Sequence, residues 1–113
     1  MKCVRVYDTA PDELAPGEVT KRRMQDSHAT YDVWWVCTPN GLVGRLSAPE
    51  DRSRGHHRVT EHDDTIDVPR PGAGEPANSI MVTGWPIDGG ERKPGEPLMS
   101  WHGYIVDGEW VGV

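Results

Sequence analysis

The sequence predicts a mainly β, single-domain protein: a small antiparallel sheet, sandwich or rolled barrel with at most one short helix near the N-terminus. Three observations predict it. The closing stretch SWHGYIVDGEWVGV sets Asp107-Gly108 between two apolar runs, and Asp-Gly in that position is the strongest short hairpin signal. The run YDVWWVC from Tyr31 to Cys37 is β-branched and aromatic almost throughout, the composition that fits a pleated, buried surface. Finally, 13 glycines and 10 prolines punctuate 113 residues, cutting the chain into about six or seven short strands.

Size and composition bound the rest. A chain of 113 residues has room for one domain, residues 1–113, and buries only roughly 60–70% of the surface exposed by its unfolded form. Apolar content is 35%, Phe is absent, and five Trp and three Tyr stand in for it. Large aromatics are what disordered chains lack, so the expectation is a few large core residues under long ordered loops.

Taken in order, KCVRVYD (Lys2–Asp8) alternates as a first strand, and TAPDELAPGE breaks it with two prolines and a glycine. GEVTKRRMQDSH has no internal Gly or Pro beyond its first residue and Glu18 near its start, which reads as the one helix. In YDVWWVC, alternation puts Tyr31, Val33, Trp35 and Cys37 on one face and Asp32, Trp34 and Val36 on the other. Both faces are apolar, as in a central strand covered on two sides. TPNG then turns the chain, with Gly41 free to take positive φ, and LVGRLS returns.

HRVTEHDDTIDV reads as a hairpin about Asp63-Asp64, with Val59 facing Val68 and Glu61 facing Ile66. PRPGAGEPAN is a loop, SIMVTG a strand and WPIDGGERKPGEP a second loop. In the last hairpin a two-residue turn sets Val106 opposite Glu109, Ile105 opposite Trp110, Tyr104 opposite Val111 and Gly103 opposite Gly112. Trp101, Ile105 and Trp110 then share a face with a glycine pair between them, and a tryptophan ring over that gap recovers lost packing. His102 falls on the other face.

The charge pattern argues against several functions. The net charge of −6 is the wrong sign for generic nucleic-acid binding. No window supplies the run of about 18 apolar residues a membrane helix needs. MKCVRVYDTAPDEL lacks the apolar core of a signal peptide, so the expected setting is cytosol-like and reducing, with Cys3 and Cys37 as free thiols.

Candidate chemistry is sparse. A metal would have to draw on Cys37, His57 (or His56) and His102, from three separate segments, without the close ligand pair that zinc sites use. His57 and His62 are five apart, which on a strand sends their rings to opposite faces. Cys37 and His102, oriented by Asp107 or Glu109, have the residue types of a thiolate pair, but no helix N-terminus stands behind Cys37 to lower its pKa. The carboxylate pairs Asp12-Glu13, Glu50-Asp51 and Asp63-Asp64 sit at turns, where acidic residues serve as solvated punctuation. DGG and PGAG lack the Lys-Ser/Thr and following helix of a phosphate cradle. Five indoles are many for so small a core, which makes Trp34 and Trp85 candidate interface anchors.

Taken together, WWVCTPNG, HRVTEHDDTIDV, SI and WHGYIVDGEW resemble an uncharacterised family of small actinobacterial-phage proteins, over residues 31–113. Relatives carry a second Cys in the Cys-Pro turn and a Cys before the terminal His, a pattern suggesting a zinc knot; Asn40 and Trp101 stand in those places here. The resemblance implies that aromatic packing replaced the metal, leaving His102 to hydrogen-bond within the sheet. It also implies a phage setting. The resulting expectation is a non-enzymatic accessory protein that binds another protein, in the host cytoplasm or on the virion, with no cofactor. A capsid-decoration or tail component and a small zinc-binding domain are the alternatives.

Overall fold

The computed structural model describes residues 1–47, 56–85, 87–88, 91–92 and 97–113. The fold is mainly β, as the composition predicts, with two small sheets packed face to face. The first has the order β1 (Val4–Arg5), β2 (Glu18–Gln25), β3 (Thr30–Cys37), β4 (Val43–Arg45). Two short hairpins follow in sequence, β5 (Thr60–Glu61) with β6 (Ile66–Asp67) and, after β7 (Ile80–Gly84), β8 (Ile87–Asp88) with β9 (Glu91–Arg92). The second sheet has β10 (Met99–Val106) between β7 and β11 (Glu109–Gly112).

The segment expected to be a helix is strand β2. It pairs with β3 from Val19↔Val36 to Gln25↔Thr30, and the only helical turn among the described residues is a 3₁₀ turn at Pro11–Glu13. The reason is visible in the alternation of VTKRRM: Val19 is fully buried on one face and Thr20 on the other. Tertiary burial of alternate residues overrides the weak helix preference of a segment with only two apolar contacts to offer. Asp26 closes this hairpin by accepting the amides of His28 and Ala29 at 2.7 and 2.8 Å.

The strand expected to be central is central: β3 lies between β2 and β4. Its inward residues Trp34 and Val36 join Val19 and Leu46 against Ile80, Val82, Ile105 and Trp110 of the second sheet and Ile66 and Val68 of the β6 region. Its outward residues Val33 and Cys37 are also buried, beneath the loop that carries the 3₁₀ turn. Gly44 on β4 lies so close to Val82 that an added Cβ would sit 2.8 Å from a Val82 methyl, which fixes how tightly the sheets approach.

Both predicted hairpin registers are observed. Glu61 faces Ile66 and Thr60 faces Asp67. In the last hairpin Ile105 faces Trp110 and Gly103 faces Gly112, with Asp107 and Gly108 at φ 52° and 72°, the two positive values of a type I′ turn. The ring of Trp101 lies over Gly103 and meets Trp110 edge-on, with centroids 5.2 Å apart.

One pairing departs from the antiparallel expectation. β1 runs parallel to β2, because the N-terminal segment links the two sheets. Residues 1–3 bond to β11 and the turn before it (Trp110 N–H to Met1 O, 2.9 Å; Cys3 N–H to Gly108 O, 2.7 Å), and Val4 and Val6 then bond to Gly17 and Val19. The loop expected from Trp85 to Pro97 contains the short β8–β9 pairing. Glu50-Asp51 and Gly89-Gly90 lie outside the described residues.

Candidate functional site

A cleft lies beside the first sheet. β3 is eight residues long, and β4 pairs with its last three, Trp35 to Cys37. Leu46 extends this pairing by donating to Trp34 O at 2.9 Å. Ser47 O then accepts the amide of His57 at 3.0 Å. The cleft, of about 400 Å³, is lined by Asp32, Trp34, Leu46, Ser47, His57 and Val59, among other described residues.

His57 is the staple of its wall. Its Nδ1 accepts the Ser47 amide at 3.0 Å and its Nε2 lies 2.8 Å from Ser79 O. A carbonyl can only accept, so Nε2 carries the proton and the ring is the neutral Nε2–H tautomer. Arg58 is committed as well: its guanidinium bonds Pro76 O at 2.9 Å and pairs with Glu75 at 3.3 Å. Asn78, fully buried, holds the neighbouring backbone by accepting Arg58 N–H at 2.7 Å and donating to Arg58 O and Pro69 O.

Trp34 forms part of the cleft's apolar lining and is buried, 9% exposed, within the core. The ring is a buried surface reached through a cleft. The ring also has contacts that sequence reasoning missed. The Arg5 guanidinium sits 4.9 Å from the Trp34 ring and 4.5 Å from that of Tyr7, a cation held between two π faces. Glu61 pairs with Arg5 at 2.8 Å and with Lys21 at 2.7 Å. The Lys21 hydrogen bond first, and then the charges of Lys21 and Arg5, hold the Glu61 carboxyl below its ordinary range. Alternation in KCVRVYD gave no hint that Arg5 points inward, because its partners come from residues 7, 34, 61 and 62.

Trp85 follows β7 directly, is half-buried and does not line this cleft. The three residues weighed for a metal are not brought together. Cys37 is on the outer face of the first sheet, His57 has both ring nitrogens committed, and His102 is on the outer face of the second sheet opposite Met81. No group of three or more His, Cys, Asp and Glu converges among the described residues. The ring of His102 is half-buried, and no hydrogen bond joins it to a described residue.

Cys3 and Cys37 are free and buried. Burial, and secondarily the Glu18 carboxylate, push the Cys37 thiol up to about 11, and burial likewise raises Cys3. Since the thiolate is the nucleophile, both are inert near neutral pH. Native protein at pH 8 is expected to alkylate at Cys37 about a hundredfold more slowly than unfolded protein, the ratio that two pH units of thiolate population imply. Mass-spectrometric iodoacetamide kinetics read this directly, and equal rates would show that Cys37 is accessible and unshifted. The unfolded thiol ionises first, so this group's contribution favours folding below pH 9 and is lost as pH rises from there towards 11.

The chain matches no protein-family model, no curated protein and no solved structure.

Proposed function

We propose that this chain is a non-enzymatic β-rich module that works by binding another protein through the cleft beside Trp34. The observation carrying this reading is the lining: Trp34, Leu46 and Val59 form an apolar floor, and Asp32, His56 and Arg58 form a polar rim. An apolar centre ringed by polar groups is the anatomy of a binding surface. Two further observations support a non-enzymatic reading. The thiols are shifted away from nucleophilicity, and the imidazole in the cleft wall uses both nitrogens to hold backbone.

The sequence resemblance supports a phage setting, with action on a host protein in the host cytoplasm or as a component of the virion. Quantitative mass spectrometry of purified particles separates these: many copies per particle place it on the virion. The binding reading is tested by capture with tagged wild type and with the double variant Asp32→Arg/His56→Glu, both rim positions being exposed. A stoichiometric partner kept by wild type and lost by the variant at equal melting temperature supports it. Partners retained equally by both, or none at all, overturn it.

A further inference from the structure

The second sheet buries one face and presents the other. In β10, Gly103 and Ile105 are buried against the core, so His102, Tyr104 and Val106 face outward. The register sets Met81 of β7 beside His102, and Val111 of β11 beside Tyr104. Met81 is 59% exposed, and Tyr104, Val106 and Val111 are half-buried, so an apolar strip runs across three strands. Val68 joins the same sheet through two backbone bonds with Ile105. Two residues further on, the Arg70 guanidinium lies over the Tyr104 ring, 5.4 Å from its centroid. A guanidinium offers its face to a ring and its N–H donors at its edge. The contact with Tyr104 therefore positions the group and uses none of its donors.

We propose that this face is a second docking surface, distinct from the Trp34 cleft, which takes an acidic segment of a partner protein. A glutamate or aspartate carboxylate of the segment bonds to Arg70, and its apolar neighbours lie on Met81, Tyr104 and Val111. Charge complementarity selects this occupant. Two carboxylates at the border of the face are already engaged: Glu109 with the Met1 amine at 3.6 Å, and Asp67 with His62 Nε2 at 3.0 Å and with the Gly108 amide. Arg70 is exposed, and so is Lys2, which sits opposite Glu109; both add positive charge to a face of an otherwise acidic chain. The net charge of −6 opposes such a partner only weakly, because exposed charges farther apart than about 8 Å are largely screened at physiological salt. A bidentate arginine–carboxylate pair fixes the orientation of the segment as well as holding it.

The test is an NMR titration with the probe peptide acetyl-Val-Glu-Leu-Glu-Val-amide, read at the Met81 methyl, the Tyr104 ring and the Arg70 Nε–H. With millimolar probe all three are expected to shift together, and a probe with both Glu replaced by Gln to bind about fivefold more weakly. Arg70→Gln, at an exposed position, is expected to keep the melting temperature and to abolish the preference for Glu over Gln. Tyr104→Leu keeps an apolar side chain but removes the ring that positions the guanidinium, and is expected to reduce that preference. No shift at this face, or equal binding of the Glu and Gln probes, overturns the proposal. Displacement of the probe by equimolar inorganic phosphate would make Arg70 a general anion site and overturn it as well. Shifts that grow with protein concentration in the absence of probe would assign the face to a second copy of this chain instead.

Discussion

Replacing Trp110 by alanine is expected to remove about 3–5 kcal/mol of stability, the usual cost of deleting a buried large aromatic. The side chain is 7% exposed. It packs edge-on against Trp101 at 5.2 Å, and its Nε1–H donates to Gly17 O at 3.0 Å. That hydrogen bond ties the second sheet to the residue from which β2 starts, and Val4 N–H bonds the same carbonyl. Small domains have about 5–15 kcal/mol in total, so the variant is expected to be near its unfolding threshold. Trp110→Phe keeps much of the ring but not the donor, and is expected to lose less. Urea unfolding of both variants apportions the loss between packing and the bond. A Trp110→Ala midpoint equal to that of wild type would show that the two sheets are not joined through this indole.

Asn78→Ala is the second large effect, about 2–4 kcal/mol. One side chain serves three backbone groups: Arg58 N–H at 2.7 Å, Arg58 O at 3.1 Å and Pro69 O at 2.8 Å. The residue is 1% exposed. Each buried group left without a partner costs about 1–3 kcal/mol, reduced where water can enter. The bonds join the approach to β5 with the exit from β6 and the start of β7, so their loss is also expected to loosen the wall of the Trp34 cleft. Hydrogen exchange at the Arg58 amide, fast in the variant and slow in wild type, is the local readout. Unchanged stability and exchange would show that water replaces the amide at no cost. Asn78→Asp is expected to be at least as damaging, because a carboxylate would face two carbonyl oxygens.

The two positions differ in how visible they were. Trp110 could be placed from local pattern: Asp-Gly sets a two-residue turn, the turn sets the register, and the register puts Trp110 opposite Ile105 and beside the Gly103–Gly112 gap. The β5–β6 register and the central position of β3 were readable for the same reason, since their determinants lie within a dozen residues. Asn78 sits in PRPGAGEPAN, where asparagine reads as an ordinary loop residue. Its three partners lie 9 and 20 residues away, and no periodicity encodes them. The Trp34 cleft was half legible: a second tryptophan on the opposite face of YDVWWVC marked the position, but the cleft's other lining residues come from 46–47 and 56–59.

The amino-acid order alone determined what local physics can determine: a chain of short β-segments, the faces of β3, the two hairpin registers and the tryptophan over glycine. Those follow from φ/ψ preference, alternation and turn chemistry, all acting over a few residues. Tertiary structure decided that VTKRRM is a strand, because only the second sheet and the crossing loop give its alternate residues somewhere to be buried. It decided that Met1–Arg5 bridges two sheets, and that Arg5 lies between Tyr7 and Trp34. Each of these depends on groups brought together from distant parts of the chain, where the free energy of burial and of pairing outweighs what any one segment prefers.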